Sequence, residues 1–164
     1  MKEKLTVIGE FLLDQFKIEL DGQDHKASGD LERSLRYEIL ETSTGFEIVF
    51  YGLDYAIDLE TGTGPHFVPV EDLIRWIEHK GLAHGEKAVK GMAFAVQKSI
   101  LQDGTPTKGS WANVETKNGR KTQWISFVSE NSKAYVSEQI LKAMDTQTTT
   151  ILSNIIRQTN NKMQ

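Results

Sequence analysis

The chain contains no cysteine, which excludes a disulfide scaffold, a thiolate zinc site and a thiol nucleophile. It also lacks any long hydrophobic run, since nothing in it approaches the about 20 apolar residues that a membrane-spanning helix needs. The opening MKEKLTVIGE has no apolar signal-peptide core, so the expectation is a chain made in the cytosol with no membrane partner. Catalytic signatures are equally scarce. None of the serines sits in a Gly-x-Ser-x-Gly elbow, so an acyl-transfer triad has no support. Gly62-Thr63-Gly64 is followed by neither Lys-Ser/Thr nor a third glycine, and it reads as a tight turn rather than a phosphate cradle. Among His25, His66, His79 and His84, the pair His79 and His84 straddles Gly81 without a helical i, i+4 spacing, so no metal site is expected. Asp58 and Glu60 alternate as strand-face acids do, without pointing to glycosidase chemistry. The expectation is a protein that is no enzyme, with no catalytic residue, cofactor or metal.

What is present is a chain of 164 residues with 38% hydrophobic residues and a formal charge of −4. That length fits one domain with a packed core. The charge is unevenly spread. Residues 32 to 80 hold ten acids against four bases, a net of −6, whereas residues 87 to 121 hold seven bases against two acids, a net of +5. Segments of opposite sign serve as ordinary solvated faces, attract each other within one copy, or dock one copy onto the next.

Periodicity supplies the elements. Leu5, Ile8, Phe11, Leu12 and Phe16 predict an amphipathic helix over 2–19. Leu35, Tyr37 and Ile39, then Phe46, Ile48 and Phe50 across the Ser43-Thr44-Gly45 turn, predict two antiparallel strands. Tyr55, Ile57 and Leu59 alternate once more and predict a third strand-like segment ending at Glu60. Leu73, Ile74, Trp76 and Ile77 predict a short helix with Glu71 and Asp72 in its first turn and Gly81 as its stop. Ala88, Val89, Met92, Ala93, Val96, Ile100 and Leu101 predict a helix over 86–102, closed by Asp103-Gly104. Trp111, Val114, Trp124, Ile125, Phe127 and Val128 flank Asn118-Gly119, which predicts a β-hairpin arm. Tyr135 to Met144 predicts another helix, and Ile151, Leu152, Ile155 and Ile156 a continuation or a separate one, because Thr146-Gln147-Thr148-Thr149-Thr150 is weakly helical. The fold expectation is α+β: a small antiparallel sheet packed against helices, with a hairpin arm, in one domain over 1–145 and a C-terminal helical extension over 146–164.

Two stretches are candidate interaction surfaces. The loop carrying Lys117, Arg120 and Lys121 between Trp111 and Trp124 has the charge and aromatics of a nucleic-acid contact, and it also reads as a solubilising turn. The apolar residues Ile151 and Ile155, with their neighbours, either complete the core or pack on a partner.

One set of motifs carries a family resemblance: Ser28-Gly29-Asp30-Leu31-x-x-Ser34, a two-strand unit, Leu53-Asp54-Tyr55-Ala56-x-x-x-Glu60-x-Gly62-Thr63, the Trp76-Ile77 helix, Lys80-Gly81, and an alanine-bearing helix ending at Gly104. In order and spacing, residues 28 to 104 resemble the tail-component family of tailed bacteriophages, the head–tail joining, neck or tail-completion proteins. The resemblance implies a structural virion protein in a homo-oligomeric ring, six- or twelve-fold, at the neck. Its partners would be portal or connector proteins and tail tube or tail terminator proteins, and genomic DNA would pass through without sequence-specific contact. It further implies that Tyr55 and Ala56 pack a strand against the 86–102 helix, and that Glu60, Gly62, Thr63 and Trp76 are structural. Trp111, Lys117, Arg120, Lys121, Ile151 and Ile155 are then candidates for contacts between subunits or rings. A tail terminator ring is one alternative, and a small DNA-binding module using the basic hairpin is another.

Overall fold

A computed structural model describes residues 2–25, 28–112 and 119–162. Helix α1 (Lys2–Gly22) leads into the short α2 (Asp30–Ser34), strands β1 (Arg36–Thr42) and β2 (Gly45–Tyr51), and α3 (Ala56–Thr61). Then come α4 (Val70–Lys80), α5 (Glu86–Asp103), α6 (Lys108–Ala112) and α7 (Trp124–Lys162). The α+β expectation is met by a two-stranded antiparallel sheet packed against helices. The strands pair from Arg36 opposite Tyr51 to Thr42 opposite Gly45, around a two-residue turn. Tyr37 and Ile39 point inward while Arg36, Glu38 and Leu40 lie in solvent, and that alternation sets the register. Gly9 lets α1 approach this sheet, because a Cβ there would meet the Tyr37 ring at 2.4 Å.

Among the described residues, buried apolar side chains gather in two clusters. The larger joins Phe16, Leu20, Leu31, Ala56, Trp124 and Val128, drawn from α1, α2, α3 and α7, with Phe50 of the sheet against it. Phe16 lies edge-on to both Phe50 and Trp124, with ring centroids 5.1 and 5.5 Å away, an arrangement that favours aromatic pairs beyond their burial. The smaller cluster is the α4–α5 hairpin, with Leu73 and Ile77 against Val89, Ala93 and Ile100. Its helices stop as expected, α4 at Gly81 with φ 63° and α5 at Gly104 with φ 79°.

Two expectations need correction. Residues 55–60 form no third strand: Ala56 to Thr61 is helical, with Ala56 buried and Ile57 exposed. The alternation of Tyr55, Ile57 and Leu59 was coincidental, because the inward face is set by Ala56, Leu59 and Glu60 at helical spacing. Ala56 therefore packs with Trp124 and Val128 of α7 rather than as part of a strand against the 86–102 helix. The predicted hairpin arm also fails on its second side, since Trp124, Ile125, Phe127 and Val128 open α7. Its first side is helical at Trp111, which lies in α6, and Val114, Lys117 and Asn118 fall outside the described residues. Of the two readings of the C-terminal segment, the continuation holds: α7 runs unbroken through residue 145. Within the helical Thr run the hydroxyls of Thr146, Thr148 and Thr150 donate to the carbonyls of Lys142, Met144 and Thr146, at 2.9, 3.0 and 2.9 Å. Back-bonding of that kind gives an otherwise competing hydroxyl a partner within the helix.

Candidate assembly surfaces

The residues 60–63 form the joint of the molecule. The Glu60 carboxylate caps α7, accepting the amide of Ile125 at 2.6 Å, the amide of Ser126 at 3.2 Å and the Ser126 hydroxyl. Its own carbonyl accepts the Gln123 amide at 2.8 Å. A carboxylate at that position satisfies otherwise orphan amides and opposes the positive end of the helix dipole. Two residues on, Gly62 adopts φ 72° within reach of the opposing backbone, since a Cβ would lie 2.6 Å from the Thr105 carbonyl. Thr63 and Thr105 then exchange backbone hydrogen bonds of 2.7 and 3.0 Å, and their hydroxyls meet at 2.7 Å. Gly104 is held as closely from the other side, where a Cβ would overlap the Thr63 carbonyl. Glu60, Gly62 and Thr63 thus tie α3 to the start of α7 and to the end of α5.

Trp124 completes this joint. It is 2% exposed, and its indole N–H donates to the Ala56 carbonyl at 3.1 Å, so the largest side chain of the interior brings its polar atom satisfied. Sequence periodicity assigned it to a hairpin. The signal that would have placed it is the helical series Trp124, Val128, Ser132 and Ala143, all of them buried.

The basic stretch is largely spoken for within the chain. Arg120 makes a two-pronged ion pair with the buried Glu19, Nε to Oε1 at 3.0 Å and Nη2 to Oε2 at 3.3 Å. Its guanidinium also lies 3.4 Å from the centroid of the Phe127 ring, a cation–π contact that exposed phosphate-binding arginines do not need. The fully buried Gln23 donates to Glu19 at 2.9 Å and to the Thr122 carbonyl at 3.0 Å, and the His25 Nε2 reaches the Lys121 carbonyl at 3.1 Å. Burial lowers the pKa of both His25 and Lys121, because a desolvated cation is disfavoured. Among the described residues of the basic segment, Lys90 pairs with Glu86, Lys108 with Asp103 and Arg120 with Glu19, acids outside residues 32–80.

Two further surfaces stand at opposite ends of α7. At its start, a groove of about 1170 Å³ opens between the two core clusters. Tyr55, Trp76 and Leu82 line it while each remaining more than a third exposed. Burial raises the Tyr55 phenol, with the negative charge of Asp30 adding to the shift. At the far end, Ile151 and Leu152 are 59% and 54% exposed, and Ile155 is exposed to a similar degree. The structure therefore separates the predicted residues into three groups: Ala56, Glu60, Gly62 and Thr63 at the joint with Arg120 and Lys121 nearby, Tyr55 and Trp76 in the groove, and Ile151 and Ile155 on the bare helix.

The geometry defines a class rather than a chemistry. It is an α+β chain with a tightly tied joint, an apolar groove and a protruding helix, and among the described residues no group of three or more His, Asp or Glu is placed to hold a metal ion. No helix among them is long and apolar enough to cross a membrane. No protein-family model matches the chain, nor does any curated protein or solved structure.

Proposed function

We propose that this chain is a structural protein of a tailed-bacteriophage virion, a subunit of a ring in the neck that joins the head connector to the tail and lets DNA pass. The observation that carries the reading is the far half of α7. From Met144 to Ile155 every side chain is exposed, although Leu152 and its apolar neighbours form a stripe that water disfavours. An isolated helix of this length and composition is marginal in water, so a partner surface is the natural complement. The resemblance over residues 28–104 supplies the kind of partner: neighbouring copies, portal or connector proteins on one side, and tail tube or terminator proteins on the other. The role is one of assembly, with no catalytic step and no cofactor. The engagement of Arg120 with Glu19 and Phe127, and the helical state of Trp124 to Val128, favour this over a DNA-binding hairpin.

Cryo-electron microscopy of particles from a lysate containing this chain tests the reading. The expected result is a closed ring on the DNA axis between portal and tail, with the acidic 32–80 segment available to repel the phosphate backbone from any lasting contact. A ring at the top of the tail tube instead would make the protein a tail terminator. Absence from every particle, together with salt-sensitive DNA binding by the purified chain, would overturn the structural role.

A further inference from the structure

We infer that the far half of α7 in one copy docks into the groove between the two core clusters of the next copy, making a head-to-tail contact. The inference rests on the ring reading and specifies the joint between its subunits. Three observations carry it.

The first is reach. The groove lies at the α7 start, bordered by Leu20, His25 and Lys121, whereas Ile151 lies 27 residues beyond Trp124 along an unbroken helix, roughly 40 Å away at 1.5 Å per residue. A continuous helix cannot return to its own groove, so the occupant is another molecule. Two different patches at opposite ends of one subunit are what a heterologous, ring-closing contact requires.

The second is apolar match. Tyr55, Trp76 and Leu82 are among the exposed large hydrophobic residues of the chain, and they gather in this one groove with Leu31, Leu73 and Ile100 behind them. The arm offers Ile151 and Leu152, with Ile155 one turn on, which is the spacing by which an amphipathic helix lies in a hydrophobic groove.

The third is charge. The groove is lined by four acids, Asp21, Asp24, Asp30 and Glu32, against two lysines, Lys80 and Lys121, with Asp24 paired to Lys80 and Asp30 to Arg33. The far half from Met144 carries Arg157 and Lys162 against a single acid, Asp145. Opposite signs across the contact steer association and fix its polarity.

The absence of native cysteine makes a clean test. Full-length chain carrying both Leu82→Cys and Leu152→Cys, two exposed positions, is concentrated, oxidised and run without reductant. The expected result is a ladder of covalent dimers, trimers and larger species, while a mixture of the two single variants gives dimers only. Adding Arg157→Glu to the double variant abolishes the ladder. Three results would overturn the docking: a double variant that stays monomeric, one that cross-links only within a chain, or a Leu152→Cys single variant that dimerises alone, which would pair arm with arm. The neck role stands or falls separately. A ring in the particle with its α7 ends seated elsewhere sinks the docking and keeps the ring, whereas a ladder with no ring in any particle keeps the docking and sinks the neck.

Discussion

The two halves of α7 are one helix with opposite fates. The first half presents Trp124, Val128, Ser132 and Ala143 as a buried stripe, laid antiparallel on α1, with Phe16 near Trp124 and the Phe11 ring tilted against Tyr135, centroids 4.1 Å apart. Beyond Ala143, which is buried, every side chain of α7 from Met144 to Ile155 is exposed. Burial along α7 therefore stops before its apolar residues do. Hydrophobic periodicity reports that a face wants covering; what packs alongside the helix decides whether the same chain covers it.

That contrast can be broken most forcefully at its packed end. Trp124→Ala removes the centre of the larger cluster and the donor to the Ala56 carbonyl, with an expected loss of about 3–5 kcal/mol, measured by urea unfolding of the isolated chain. Next, Glu19→Ala leaves the Arg120 guanidinium and the Gln23 amide without their carboxylate. Removing one partner of a fully buried pair costs roughly 3–5 kcal/mol, and since Arg120 retains a third of its exposure, about 2–3 kcal/mol is expected here. Glu60→Ala uncaps α7 and is expected to cost about 1–2 kcal/mol, with amide exchange accelerated first at Ile125 and Ser126. A Glu60→Ala variant as stable as the parent would show that the joint is held by Thr63 and Thr105 alone.

These residues also mark what was legible in the sequence. The α1 stripe, the two strands with their turn, and the α4 and α5 helices with their glycine stops were all readable, because each is a local period bounded by a local breaker. Residues 55–60 were misread because a six-residue window fits both periods, and only the neighbour chosen by Ala56, far along the chain in α7, decides between them. Trp124 was misread for a similar reason, since Asn118-Gly119 is a strong local hairpin signal and the competing helical series extends twenty residues past it. The capping by Glu60 and the pairing of Arg120 with Glu19 join positions 65 and 101 residues apart, a separation at which a single sequence carries no signal. The exposed stripe on the far half was legible as apolar but ambiguous between core and interface, and in the structure Ile151, Leu152 and Ile155 are all more than half exposed.

A smaller effect follows from His25, which sits at the packed end of α7 among Asp24, Lys80 and Lys121. Burial holds its folded pKa below the ordinary 6.5, so between those two values the unfolded chain binds more protons and stability rises with pH. The contribution is complete above 6.5 and is lost as the pH falls through the folded value. Melting temperatures taken from about pH 7.5 down to about pH 5 are expected to fall in the parent, and to fall less in His25→Gln, which has no proton to gain.

The sharpest form of the contrast is the pair of polar substitutions Ile151→Ser and Leu152→Ser. If the far half belongs to an interface, these two changes leave the unfolding free energy of the isolated chain within about 0.5 kcal/mol of the parent, as surface substitutions do. The same change at the buried Val128 costs several times more, because it removes a packed side chain and buries a hydroxyl. The reverse holds in the assembly. A helix face that contributes nothing to one copy contributes to every copy-to-copy joint of a ring, so a small loss per contact is multiplied around the circle. The doubly substituted chain is therefore expected to fold normally and fail to assemble, and sedimentation beside urea unfolding separates the two. A matched loss of stability in the isolated chain would instead place the far half in the interior of a single copy.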